Sequence, residues 1–91
     1  MSEYLLEFYM PRSAAQAAAH GGANARSAAE ELARAGTDIR FCRSIFLPSE
    51  ETCFVLFEAE SAEAVRDAAR LAQLPSDRIS AVGPPPAADS S

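Results

Sequence analysis

Few residues in this chain have the type and the setting to do chemistry, and Glu7 leads them. It interrupts the apolar run Leu5-Leu6-Glu7-Phe8, where packing alone does not ask for a carboxylate. Such a group either pairs with a buried cation, Arg43 or Arg78, or faces a ligand. Facing a ligand, it would act as a metal ligand or as a general base tuned by an apolar wall. Glu58 invites the same two readings at the end of the run Phe54-Val55-Leu56-Phe57, and a diagonal approach to Arg43 favours the ion pair. Tyr9 could donate a hydrogen bond into a cleft or fill the edge of an interface.

His20, the only histidine, stands beside Gly21-Gly22. It reads as a surface helix residue or as a metal ligand near a helix break. One imidazole cannot build a His-rich site, so a metal there would also need carboxylates or a second subunit. Metal candidates are thus Glu7, Glu58 and His20, and catalytic candidates Glu7, Glu58 and Tyr9. The chain has no Gly-rich phosphate loop, no paired-cysteine metal motif and no Ser-His-Asp set.

The elements that position these residues follow from periodicity. Residues 3–10 alternate, with Tyr4, Leu6, Phe8 and Met10 on one side and Leu5, Glu7 and Tyr9 on the other, which is a strand ended by Pro11. Ser13 and Gln16 make a capping box for a helix that reaches Ala35 and stops at Gly36. Gly21-Gly22 predicts a kink or break in it, at roughly 1 kcal/mol per glycine against alanine. Ala18, Gly22, Ala25, Ala29 and Leu32 form its inward stripe. Arg26, Glu30 and Arg34 form a solvated ladder.

Two aromatic and β-branched stretches, 39–47 and 52–59, flank the turn at 48–51 and read as a hairpin. Ser61 caps a second helix whose inward residues are Val65, Ala68, Ala69 and Ala72. A last strand spans 78–82. Residues 1–82 therefore predict one α+β domain of βαββαβ order: a ferredoxin-like sandwich with a four-stranded antiparallel sheet and two helices on one face. Residues 83–91, rich in Pro, Ala and Ser, predict a disordered tail.

With the turn at 48–51, Phe46 faces Cys53, Ser44 faces Val55 and Cys42 faces Phe57. The two cysteines are then roughly 14 Å apart at ~3.4 Å per residue, too far for a disulfide, and read as small buried hydrophobes. Strict alternation sends Cys42, Ser44 and Phe46 towards the helices, and Ile39, Phe41, Arg43, Ile45 and Leu47 away from them. The helix-free face would then carry a cleft formed by Glu7, Tyr9, Phe41, Arg43, Phe54, Leu56, Glu58 and Arg78. So much uncovered apolar area predicts a second copy packed on it, making the protein a homodimer.

Composition narrows the partners. The 91 residues carry a net charge of −5, with 13 acidic and 8 basic side chains and every basic residue an arginine. No basic stripe overrides that field, which argues against nucleic acid and anionic membrane as partners. A start that is not basic, and the lack of any apolar run of about 18 residues, predict a cytoplasmic protein.

The stretch Arg43-Ser44-Ile45-Phe46-Leu47-Pro48-Ser49-Glu50-Glu51-Thr52-Cys53-Phe54-Val55-Leu56-Phe57-Glu58-Ala59 resembles a family of small actinobacterial nickel-binding proteins. Leu74-Pro75-Ser76-Asp77-Arg78-Ile79 and Glu7 followed by Tyr9-Met10-Pro11 fit the same pattern, so all but the tail is covered. The resemblance implies a ferredoxin-like dimer that binds nickel. Three functions stand: a metal- or small-ligand-binding protein, a cofactorless enzyme of cyclase or isomerase type using Glu7 or Glu58 in a biosynthetic pathway, and a structural dimer without a ligand.

Overall fold

A computed structural model describes residues 1–83; 84–91, on which most of the expected tail falls, lie outside the described residues, as do the side chains of Ala15 and Ala18. The elements are β1 (Ser2–Tyr9), α1 (Ala15–Arg34), β2 (Ile39–Leu47), β3 (Thr52–Ala59), α2 (Ala62–Leu71) and β4 (Arg78–Val82). The strands form one sheet in the order β2-β3-β1-β4, every neighbouring pair antiparallel. Both helices supply the core against one sheet face, and this arrangement fits the ferredoxin-like fold.

The core is built from alternate strand residues and the small faces of the helices. Leu6, Phe8, Val55 and Phe57 are sealed beneath Ala25, Ala28 and Ala29 of α1 and Ala64, Val65, Ala68 and Ala69 of α2. Alanine on the helices lets them sit close to large strand residues, so the aromatic side chains fill the space between the layers. Ser61 caps α2 as its sequence predicts, its hydroxyl accepting from the Ala64 N–H at 3.2 Å.

The start of α1 differs from the sequence expectation. A short 3-10 turn, Arg12–Ala14, precedes the helix, and its N-cap, Ala14, makes no side-chain hydrogen bond. The Ser13–Gln16 capping box does not form. Glu51 holds this entry instead: its carbonyl accepts from the Met10 N–H at 2.9 Å and its carboxylate from the Arg12 N–H at 3.1 Å.

Gly21-Gly22 does not break α1, which runs uninterrupted through both residues. Both glycines are buried. A Cβ at Gly22 would come within 2.6 Å of the Ser44 hydroxyl, and one at Gly21 within 3.3 Å of the Leu74 side chain. Close approach of the helix to its neighbours, rather than a kink, explains the pair. Gly36 ends the helix at φ +105, with the Thr37 N–H reaching back to the Leu32 carbonyl at 3.0 Å. That six-residue closure is the Schellman pattern, which favours glycine.

Register is the larger correction. β2 pairs with β3 as expected from Leu47↔Thr52 to Arg43↔Leu56, then slips by one residue at a bulge between Phe41 and Arg43. Cys42 is the extra residue, and Phe57 faces Phe41 instead. One inserted residue reverses the parity of everything before it. Ile39 and Phe41, expected on the helix-free face, therefore lie on the helix side. Ile39 is buried, and Phe41 meets Phe57 edge-on with ring centroids 6.2 Å apart. The Arg26 guanidinium of α1 lies 5.0 Å above the Phe41 ring.

Candidate functional site

The helix-free face reads in four rows across β2, β3, β1 and β4. At the hairpin end, Leu47, Thr52 and Tyr9 share a row, and the next holds Ile45, Phe54, Glu7 and Arg78. Arg43, Leu56, Leu5 and Ser80 follow, and Arg40, Glu58, Glu3 and Val82 close the far end. Every charged residue of the strands is on this face: three glutamates and three arginines. The apolar rows are only partly covered. Leu5, Phe54 and Leu56 are half-buried, while Ile45, Leu47 and Tyr9 are exposed.

Glu7 occupies the middle of this surface, on a central strand, with Phe54 on one side and Arg78 on the other. Beside it an open groove of about 230 Å³ is lined by Glu7, Phe8, Tyr9, Thr52, Asp77 and Arg78. Asp77 braces one wall, its carboxylate accepting from the Tyr9 N–H at 3.2 Å. The groove therefore offers carboxylate, hydroxyl and guanidinium groups over an aromatic edge, a setting that can orient a small polar molecule.

The other carboxylate candidate has a different fate. Glu58 pairs with Arg40, not with Arg43, because the bulge turns Arg40 onto this face. Among the described residues the ion pairs are Arg12–Glu51, Arg40–Glu58 and Arg70–Asp67, and none takes Glu7, Arg43 or Arg78. Glu58 faces Glu3 while Glu7 faces Phe54. That puts the two carboxylates four residues apart along the sheet, roughly 14 Å at ~3.4 Å per residue. They do not share a site.

His20 belongs to the other layer of the fold. It is exposed on α1, in the helix layer, where it lines a separate groove with Met10, Gly21, Asn24, Leu74 and Pro75. The structure therefore keeps the three metal candidates apart, and among the described residues no three His, Cys, Asp or Glu side chains converge. Of the eight residues expected in the cleft, seven lie on the helix-free face, and Phe41 is the exception.

Both cysteines are free. Cys53 is buried under the helices, and that burial pushes its thiol pKa up. The Cys42 thiol is pushed up by burial first and then by the charge of Glu58; Arg40 and Glu3 are its other charged neighbours. Cys42, the extra residue of the bulge, is half-buried and is not part of the buried core.

Sequence reasoning passed over Asp77 of the groove and Arg40 of the far row. Asp77 reads as part of a helix stop and carries no signal for its bond to Tyr9. Arg40 did carry one: Arg40 and Arg43, three residues apart, cannot share a solvent face under strict alternation, so one charge had to be buried or the strand had to bulge.

The donor chemistry bears on nickel. Imidazole suits nickel, whereas carboxylate and hydroxyl oxygens suit harder ions. The groove supplies oxygen donors, and the one imidazole is in the other layer. The described residues of a single copy do not fit a nickel site. Among them, no helix is long and apolar enough to cross a membrane.

In comparisons with known proteins, residues 4–82 match the model of a family described as "Nickel responsive protein SCO4226-like". Neither a curated protein nor a solved structure matches the chain.

Proposed function

Because the chain belongs to the nickel responsive SCO4226-like family, we propose that it is a small binding protein that works as a homodimer, its ligand held in the groove at Glu7. The observation that carries this reading is Glu7 itself, a carboxylate in mid-strand among half-buried apolar residues and outside every ion pair of the described chain. A second copy laid on the helix-free face would cover Phe54, Leu56 and Ile45 and turn the open groove into an enclosed one. Enclosure strengthens a carboxylate's interactions with a ligand by excluding water.

The ligand that suits this groove is a small polar molecule presenting hydrogen-bond donors or a cation to Glu7. Nickel is what the family description suggests; in one copy the oxygen donors speak against it. An enzymatic role would fall to Glu7 alone, since Arg40 already engages Glu58.

A thermal-shift screen of small polar molecules and of nickel, read in parallel with native mass spectrometry, tests the proposal. We expect a dimer, and a ligand whose stabilising effect disappears in Glu7→Gln while that variant stays folded. Ligand binding that survives Glu7→Gln would overturn the assignment of the groove. Nickel binding that is lost in His20→Ala and retained in Glu7→Gln would overturn it too, placing the response in the helix layer.

A further inference from the structure

We infer that Arg43 of one copy closes the Glu7 groove of the other, so that the site is incomplete in a single chain. This inference rests on the homodimer proposed above and adds the residue that the second copy contributes.

Charge balance is the first support. The strand charges on the helix-free face cancel, three against three, while the remaining surface carries the whole net charge of −5. Like-charge repulsion therefore does not oppose two copies meeting through this face. Within it, Arg40 and Glu58 neutralise each other. Arg43 is left exposed on the edge strand β2, its expected partner Glu58 taken by Arg40 through the bulge.

Burial supplies the second. A carboxylate enclosed by a dimer without a countercharge is strongly disfavoured, and Arg78 beside Glu7 makes no ion pair with it, so a dimer formed on this face gains by bringing a cation to Glu7. A two-fold interface is self-complementary, and each group meets the one its partner exchanges for it. Glu7 and Arg43 flank β3 on opposite sides, in adjacent rows that hold Phe54 and Leu56. A two-fold axis passing over those two residues exchanges Glu7 with Arg43, setting the guanidinium of each copy over the carboxylate of the other. The apolar pair then forms the centre of the contact and the ion pairs its flanks.

Reversing the charges tests this directly. Sedimentation velocity across a concentration series would compare the wild-type chain with Arg43→Glu, Glu7→Arg and the two combined, with circular dichroism to confirm folding. Each single reversal is expected to weaken the dimer by about a hundredfold, and the combined variant to recover to within about tenfold of wild type. Arg43→Gln, which removes the charge without reversing it, is expected to weaken the dimer by about tenfold and guards against a misfolded reversal. Folded single variants that dimerise like wild type would overturn the inference and leave the dimer standing. So would a combined variant that fails to recover, since Glu7 would then answer to Arg78 of its own chain. A wild-type chain that is monomeric throughout would overturn the homodimer itself.

Discussion

Gly22 of α1 and Ser44 of β2 are in contact so close that a methyl group on the glycine would lie 2.6 Å from the serine hydroxyl. The helix lies close upon the edge strand at this point, and Ala25 and Ala29, one and two turns further along it, are buried.

Gly22→Ala sets a gain in helix propensity of about 1 kcal/mol against displacement of the Ser44 hydroxyl. The hydroxyl can rotate, so the single change should move stability by less than about 1 kcal/mol in either direction. In a Ser44→Ala background the nearest atom becomes a Cβ at 3.4 Å, an ordinary contact. There the same change should stabilise by about 1 kcal/mol. Urea denaturation of the four chains in this cycle reads the coupling, and equal effects in both backgrounds would show that the contact carries no energy.

Backbone strain offers a second test. Gln73 follows α2 at φ 59, a conformation that favours glycine, while the Leu74 N–H closes onto the Ala69 carbonyl at 2.8 Å. Gln73→Gly should raise stability by about 0.5–1 kcal/mol. Glu51 has a similar φ of 49, but its carboxylate accepts from the Arg12 N–H. Glu51→Gly gives up that bond as it relieves the strain, so it should bring no gain. Paired melting curves would separate the two cases.

The order of elements was legible because most of its signals are local. Alternation marks β1, the hairpin turn fixes Phe46 against Cys53, and Ser61 announces α2. What the sequence hid depends on neighbours. The glycine pair looks like a helix break until Ser44 and Leu74 are seen beside it. Glu51 takes over the entry to α1 from across the hairpin, which no local capping pattern reveals. The Cys42 bulge is a matter of one residue, yet it exchanged the roles of Arg40 and Arg43 and moved Phe41 under α1. Glu7 stood out by type alone, but its separation from Glu58 and His20 needed the register.

The thiols predict a pH response. Both are raised above their ordinary value, Cys53 by burial and Cys42 by burial and then Glu58. A raised acid keeps its proton in the folded state while the unfolded chain begins to lose it. The stability the thiols confer is therefore fully present below the ordinary thiol value of 9.0 and falls as pH rises past it towards the folded value. Melting temperature should drop above about pH 9, and less so in a Cys42→Ala, Cys53→Ala chain. Maleimide at neutral pH should modify Cys42 ahead of Cys53, which reacts only on unfolding.

Phe54 and Phe57, three residues apart on β3, separate the stability of one copy from the association of two. Phe57 is fully buried under the helices, so Phe57→Ala should cost about 3–5 kcal/mol and bring the domain close to unfolding. Phe54 is half-buried on the opposite face, where a lysine can lay its stem along Leu56 and keep its charge in water. Phe54→Lys should therefore leave a single copy folded, with a cooperative melt and an unchanged far-ultraviolet spectrum. Between two copies the same ammonium would be buried without a partner, and the dimer should dissociate. Sedimentation of Phe54→Lys as a folded monomer is the expected result. If it instead sediments as wild type does, and wild type is a dimer, then the copies meet through some surface other than the helix-free face of the sheet.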